Sequence, residues 1–192
     1  MSLEAEFAVV ESIKNSRSET LGVDALTLSI VKLERQLRRL FTHLVFQSEA
    51  FAPDSIEALL EALDRKGIYV TGFISGIDAL INITVAEMVG DAYADLRVKL
   101  REIYKVRNRV FHGQLTGKCL GQFELLDMVS TVREWCGLLS AGAHARVGYD
   151  GFERKSLRKS GQPPAFAFLE QLDSIEDFET FIQDHVVGPT DW

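Results

Sequence analysis

From Ala5 to Leu139 apolar residues return every three or four positions, and the two-residue alternation of half-buried strands is scarce. That period commits the chain to packed helices. The segment Leu3 to Lys14 is short and amphipathic. A longer one follows, with Leu26, Ile30, Leu33, Leu37, Leu40 and Leu44 on one stripe and Lys32, Glu34, Arg35, Arg38 and Arg39 mostly off it. Pro53-Asp54-Ser55 opens a third helix, with Asp54 as N-cap, Glu57 three residues on and Gly67 as the stop. A fourth is expected from about Tyr69 to Val89. It holds Gly72 and Gly76 one turn apart, so either the helix begins later or another backbone packs closely there. The fifth runs from Asp91 to about His112, and the sixth from about Leu120 to Leu139.

Beyond Ala143 glycines and prolines punctuate a stretch with Arg154, Lys155, Arg158 and Lys159, which reads as loop. A last helix is expected from Ser174 as N-cap to Val187. The expectation is an all-α bundle of about five or six helices over residues 1–143. Residues 144–192 form a loop-rich extension, either packed on the bundle or hanging from it.

At 192 residues and 46% hydrophobic content the chain can build one ordinary core. Its longest apolar run, Gly72 to Val89, is broken by Asp78, Asn82 and Glu87, so no membrane span is expected. The acidic start, with Glu4 and Glu6, does not resemble a signal peptide, and Cys119 and Cys136 form neither a CxxC pair nor a disulfide framework. A cytoplasmic protein with reduced thiols is expected. Lys+Arg 21 against Asp+Glu 28 gives a net charge of −7, which disfavours non-specific coating of a polyanion and leaves room for a local basic groove. Gly113 to Cys119 is a poor phosphate loop, one residue short between its glycines and ending in Cys. His43, His112, His144 and His185 lie too far apart for ligand spacing, so neither a metal nor a cofactor is expected.

The fifth helix concentrates charge. Arg97 to Arg109 holds Arg97, Lys99, Arg101, Lys105, Arg107 and Arg109 with a single acid, Glu102. Wound at about 100° per residue, Arg97, Arg101, Lys105, Asn108 and His112 fall within a sector of about 80°. Tyr93, Leu96, Leu100, Ile103, Val110 and Phe111 form the opposite stripe, and Arg107 lands among them. A guanidinium there must meet a carboxylate, a phosphate or a subunit boundary. A basic stripe is also what an ordinary solvated helix face looks like.

Val106-Arg107-Asn108-Arg109-Val110-Phe111-His112-Gly113 resembles the signature of the HEPN superfamily, an all-helical domain of many ribonucleases and toxins. That signature is Arg, four to six residues, then His, often with a polar residue directly after the Arg. Arg38-Arg39-Leu40-Phe41-Thr42-His43 also fits Arg, four residues, then His, but lacks the Asn and the terminal Gly and sits inside the leucine stripe. The resemblance implies metal-independent RNA cleavage through Arg107, Asn108 and His112. The reaction needs a group that titrates near neutrality to move the 2′-hydroxyl proton, as histidine ordinarily does, and His112 is the candidate. Arg107 would face the charge developing on the phosphorane, and Asn108 would orient the imidazole or donate to a phosphate oxygen. Arg97, Arg101, Lys105 and Arg109 would guide the RNA backbone.

Positions 107 and 112 stand about 140° apart on a regular helix, and the resemblance implies a homodimer that pools two motifs. An antitoxin or regulatory protein is the further partner it implies. Two other readings stay open: a non-catalytic HEPN-like domain binding RNA, a nucleotide or a protein, and an interaction protein in which His112 merely caps its helix. The acidic run Glu170 to Asp184 would, on one expectation, lie over the basic stripe as a lid.

Overall fold

The leucine stripe becomes the spine of the molecule. In the computed structural model, which describes residues 2–64, 68–111 and 120–187, helix α2 spans Leu21–Phe46. Leu26, Ile30, Leu33, Leu37, Leu40 and Leu44 are all buried along it. It packs most extensively on α7 (Gln122–Val147), and also on α1 (Leu3–Lys14) and α4 (Val70–Leu80). The chain is an all-α bundle. Among the described residues there are eight α-helices and no sheet, only isolated bridges between Ile68 and Val187 and between Ile81 and Phe168.

Helix α1 spans the expected residues, capped by Ser2, whose Oγ accepts the Ala5 N–H at 3.4 Å. Its Glu6 is buried and offset by α2, with Lys32 at 3.0 Å and Arg35 at 3.5 Å. The third helix differs from expectation in its start. Pro53–Ser55 forms a 3₁₀ turn before α3 (Ile56–Leu63), and Ser55 Oγ accepts the Ala52 N–H at 3.3 Å. Pro53 presets the turn one residue early, so Asp54 lies inside it instead of capping it. The stop assigned to Gly67 lies outside the described residues.

The expected helix from Tyr69 to Val89 is two helices. Backbone at Ile81 is extended, and Asn82 pairs with Ala167 in both directions: its N–H donates to the Ala167 carbonyl at 3.0 Å, and its Oδ1 accepts the Ala167 N–H at 2.8 Å. Helix α5 (Val85–Val89) restarts on a reciprocal cap. The Thr84 N–H donates to Glu87 Oε2 at 2.7 Å, and the Glu87 N–H to Thr84 Oγ1 at 3.1 Å. Thr84-x-x-Glu87 is visible in the sequence, and the apolar run around it hides the break.

The two glycines of α4 have the close-approach explanation. A Cβ on Gly72 would stand 2.1 Å from the Val186 carbonyl oxygen, and one on Gly76 would stand 2.7 Å from Val186 Cγ2. Val186 belongs to a π-helical turn, Ile182–Val186, that continues α8 (Ile175–Phe181). Ser174 caps α8 as expected, accepting the Asp177 N–H at 3.1 Å.

Helix α7 runs to Val147, beyond the expected end at Leu139, and stops at Gly148 with φ +76°. The segment after it enters the same core. Tyr149, Phe152, Phe166, Leu172, Phe178, Phe181, Ile182 and Val186 join one continuous apolar cluster with the helices before them. No helix among the described residues is long and apolar enough to cross a membrane.

Candidate nucleic-acid interface

Helix α6 (Tyr93–Phe111) carries the basic stripe and is packed by α7 and α5. Its period of 3.6 buries Leu96, Leu100 and Ile103 against them. Arg101, Lys105, Asn108 and Arg109 are exposed, whereas Arg97 and Arg107 are half-buried.

These six differ in what they touch. Arg97 turns back into the protein: its guanidinium lies 5.9 Å from the centre of the Tyr93 ring. Burial raises the Asp78 carboxyl, and the Arg97 charge acts against that rise. Asp78 in turn holds the start of α5 by accepting the Val85 N–H at 2.6 Å. Arg97 is therefore tied to the junction of α4, α5 and α6 and stands apart from the solvent-facing line. Lys105 Nζ pairs with Glu102 Oε1 at 2.7 Å on the exposed face. Arg101 makes no hydrogen bond or ion pair among the described residues.

Arg107 interacts with a carboxylate. Its side chain lines a narrow crevice with Val23, Leu26 and Thr27 of α2, Val110 of α6 and Leu125 of α7. The crevice has a volume of about 10 Å³, room for no more than one water. Glu34 of α2 is within electrostatic reach of the guanidinium. Burial raises the Glu34 carboxyl, while the charge of Arg107 pulls it down, as do a hydrogen bond from Tyr104 and the charge of Arg38. The Tyr104 hydroxyl donates to Glu34 Oε1 at 3.3 Å, and burial lifts the phenol well above its ordinary range. At its outer end Arg107 Nη1 donates to Asn108 Oδ1 at 3.0 Å. The guanidinium is thus held between the field of a half-buried carboxylate and an exposed amide.

The chain brings Arg107 and Asn108 into direct contact, with Lys105 and Arg101 leading toward them on the exposed side. His112, the third residue of the motif, lies outside the described residues. Sequence reasoning leaves out Glu34 and Tyr104. Glu34 has a visible signal: an acid beside the leucine stripe of α2, on a helix face where a cation from another helix can reach it.

The competing Arg-His spacing on α2 is structural. Arg38 donates to the Leu63 carbonyl at 3.3 Å and to Asp64 Oδ1 at 3.2 Å, and Arg39 to the Phe152 carbonyl at 2.8 Å. His43 is buried and stacks on Tyr149 with ring centres 4.5 Å apart. Burial pushes its imidazole down to about 4. The acidic helix α8 and the turn after it lie against α3 and α4 instead of over α6, which overturns the expectation of a lid. Comparison of the chain with protein-family models, with curated proteins and with solved structures finds no match.

Proposed function

We propose that the chain is a HEPN-like, metal-independent endoribonuclease of the toxin or defence type, acting in the cytoplasm. The Arg107–Asn108 pair carries the reading. A guanidinium with fixed electrostatic partners and an exposed amide stand together near the end of α6, with Asn108 four residues before His112 in sequence. Fixed donors suit a site where charge develops on a phosphate, because they need no reorganisation at the moment of reaction. Arg101 and Lys105 supply an exposed, salt-sensitive track for the backbone.

In the proposed step the 2′-oxygen bonds to phosphorus and the bond from phosphorus to the 5′-oxygen breaks. His112 takes the 2′-hydroxyl proton, and the departing 5′-oxygen receives a proton from a general acid. The products are a 2′,3′-cyclic phosphate and a 5′-hydroxyl. A homodimer supplies the acid from the second copy of His112 and turns two motifs toward one cleft. An antitoxin or regulatory protein would bind the same surface.

One observation favours a non-catalytic reading, in which the groove binds RNA, a nucleotide or a protein without cutting. Within one copy, Arg107 lines a crevice too small for a phosphate. The test is cleavage of a mixed RNA pool in EDTA by wild type, His112→Ala and Arg107→Ala, with binding measured in parallel. The catalytic reading expects cyclic-phosphate ends and a loss of at least about 100-fold in His112→Ala. The binding reading expects intact RNA held less tightly by Arg107→Ala. Folded wild type that neither cuts nor binds RNA sinks both RNA readings.

A further inference from the structure

A large hollow in the described structure lies away from α6. It is a cavity of about 440 Å³ between the segment that follows α2 and the stretch 164–173, lined in part by Ser48, Glu49, Phe168, Leu169, Leu172 and Asp173. That volume falls in the range of small-molecule sites. Its walls come from distant parts of the chain and are pinned together. Ser48 Oγ donates to the Leu172 carbonyl at 3.0 Å, Gln47 Nε2 to the Arg158 carbonyl at 2.9 Å, and the Leu169 N–H to the Leu80 carbonyl at 2.9 Å. The Ser160 N–H donates to Gln47 Oε1 at 3.1 Å. The pocket is therefore formed before any ligand arrives, which lowers the ordering cost of binding.

Those same bonds use up neutral polar groups of the wall, so the chemistry left for a ligand is narrow. Glu49 and Asp173 present carboxylates, and Gln171 Nε2 steadies the latter by donating to Asp173 Oδ1 at 3.0 Å. Phe168 and Leu169 offer apolar surface, and Leu169 is 60% exposed. Among the described residues no Lys, Arg or His lines the cavity. The nearby cation Lys159 donates to the Ser48 carbonyl and lies 5.2 Å from the centre of the Phe46 ring, and its charge also reaches Glu49, so a ligand ammonium would share that carboxylate with it.

The stretch that supplies one wall is acidic in sequence: residues 160–192 contain seven acids and no Lys or Arg, while the basic run Arg154, Lys155, Arg158 and Lys159 ends just before it. We infer that the cavity is a binding site for a small organic ammonium ion with an apolar body. The ammonium pairs with Glu49 and Asp173, and the body lies on Phe168, Leu169 and Leu172. The inference is independent of the RNA reading, since none of these residues belongs to α6.

The test is an amide-resolved NMR titration of the full chain with phenethylammonium chloride. Phenylacetate serves as the control, an aromatic body of similar size with the opposite charge. The expected result is a saturable shift centred on Ser48, Ala50, Leu169 and Leu172, with a midpoint below about 1 mM, and no saturable shift from phenylacetate. The double variant E49Q/D173N should weaken the midpoint at least about tenfold. The exposed single variant E49Q, with its fold checked by an amide spectrum unchanged away from the pocket, should weaken it about threefold. Absence of saturation up to about 10 mM, equal binding of phenylacetate, or an unchanged midpoint in a folded E49Q/D173N overturns the inference.

Discussion

The Tyr104 hydroxyl meets Glu34 Oε1 at 3.3 Å, and this hydrogen bond ties α6 to α2 close to Arg107. The carboxylate is caught between two opposing effects. Burial favours its neutral form, and the cations around it favour the charged one, with burial the larger.

A pH dependence follows from that balance. The folded-state pKa of Glu34 is raised above its ordinary 4.5. The native state therefore binds the proton more readily than the unfolded chain. The contribution to stability is fully present below about 4.5 and is lost as pH rises through the folded value. Glu34→Gln removes this titration while keeping an oxygen for Tyr104. Chemical denaturation at a series of pH values should show the variant gaining on wild type as pH rises above about 4.5. A difference that stays flat over that rise would place Glu34 in a more solvated setting than its packing implies.

His43 titrates in the opposite sense. Its imidazole falls from 6.5 to about 4 because burial disfavours the charged form. Stability is fully present above about 6.5 and is lost as pH falls toward 4, since the unfolded chain takes up the proton first. The span corresponds to on the order of 3 kcal/mol. His43→Phe, which keeps a ring against Tyr149, should flatten the stability profile between pH 6.5 and 4 relative to wild type. An unchanged profile would show that other groups dominate acid unfolding.

Gly72 is a packing requirement. A Cβ there would stand 2.1 Å from the Val186 carbonyl oxygen, and backbone has little room to yield. Gly72→Ala should destabilise by about 2–3 kcal/mol even though alanine is the better helix former. The control is Ser75→Ala on the exposed side of the same helix, which should stay within about 0.5 kcal/mol. Thermal melts of the two variants separate close approach from helix propensity.

What the sequence makes legible, and what it hides, follows from the range of the interactions. The limits of α1, the stripe of α2 and the cap at Ser174 are set by neighbours within a turn or two, and they are readable. The Gly72 and Gly76 pair announces a close approach without naming Val186, which lies more than a hundred residues on. The break at Ile81 depends on Ala167 and on the Thr84 cap, and an apolar run conceals it. At the candidate site, helical winding places Arg101, Lys105 and Asn108 on an exposed line. It also places Arg107 where it needs a partner, and that partner, Glu34, comes from another helix. Winding alone puts Arg97 with the exposed cations. The Tyr93 ring and the Asp78 carboxylate draw it inward, because interactions across elements override the geometry of a single helix.

That division of the basic residues yields a sharp test of the RNA reading. Arg101 and Lys105 are exposed, so replacing both with alanine should remove two phosphate partners and leave stability within about 0.5 kcal/mol. For single-stranded RNA the slope of log K against log salt should shrink by roughly 1.4, about 0.7 for each cation removed from a phosphate. Arg97→Ala should do the reverse. Without the charge that balances half-buried Asp78 and the guanidinium over Tyr93, stability should fall by about 1 kcal/mol, while the salt slope of the folded fraction stays as in wild type. Fluorescence anisotropy at several salt concentrations, alongside urea denaturation, reads both quantities. If Arg97→Ala changes the slope as much as the Arg101 and Lys105 pair does, the RNA-binding surface runs the full length of α6. If none of the three changes it, α6 is a solvated face and RNA binds elsewhere.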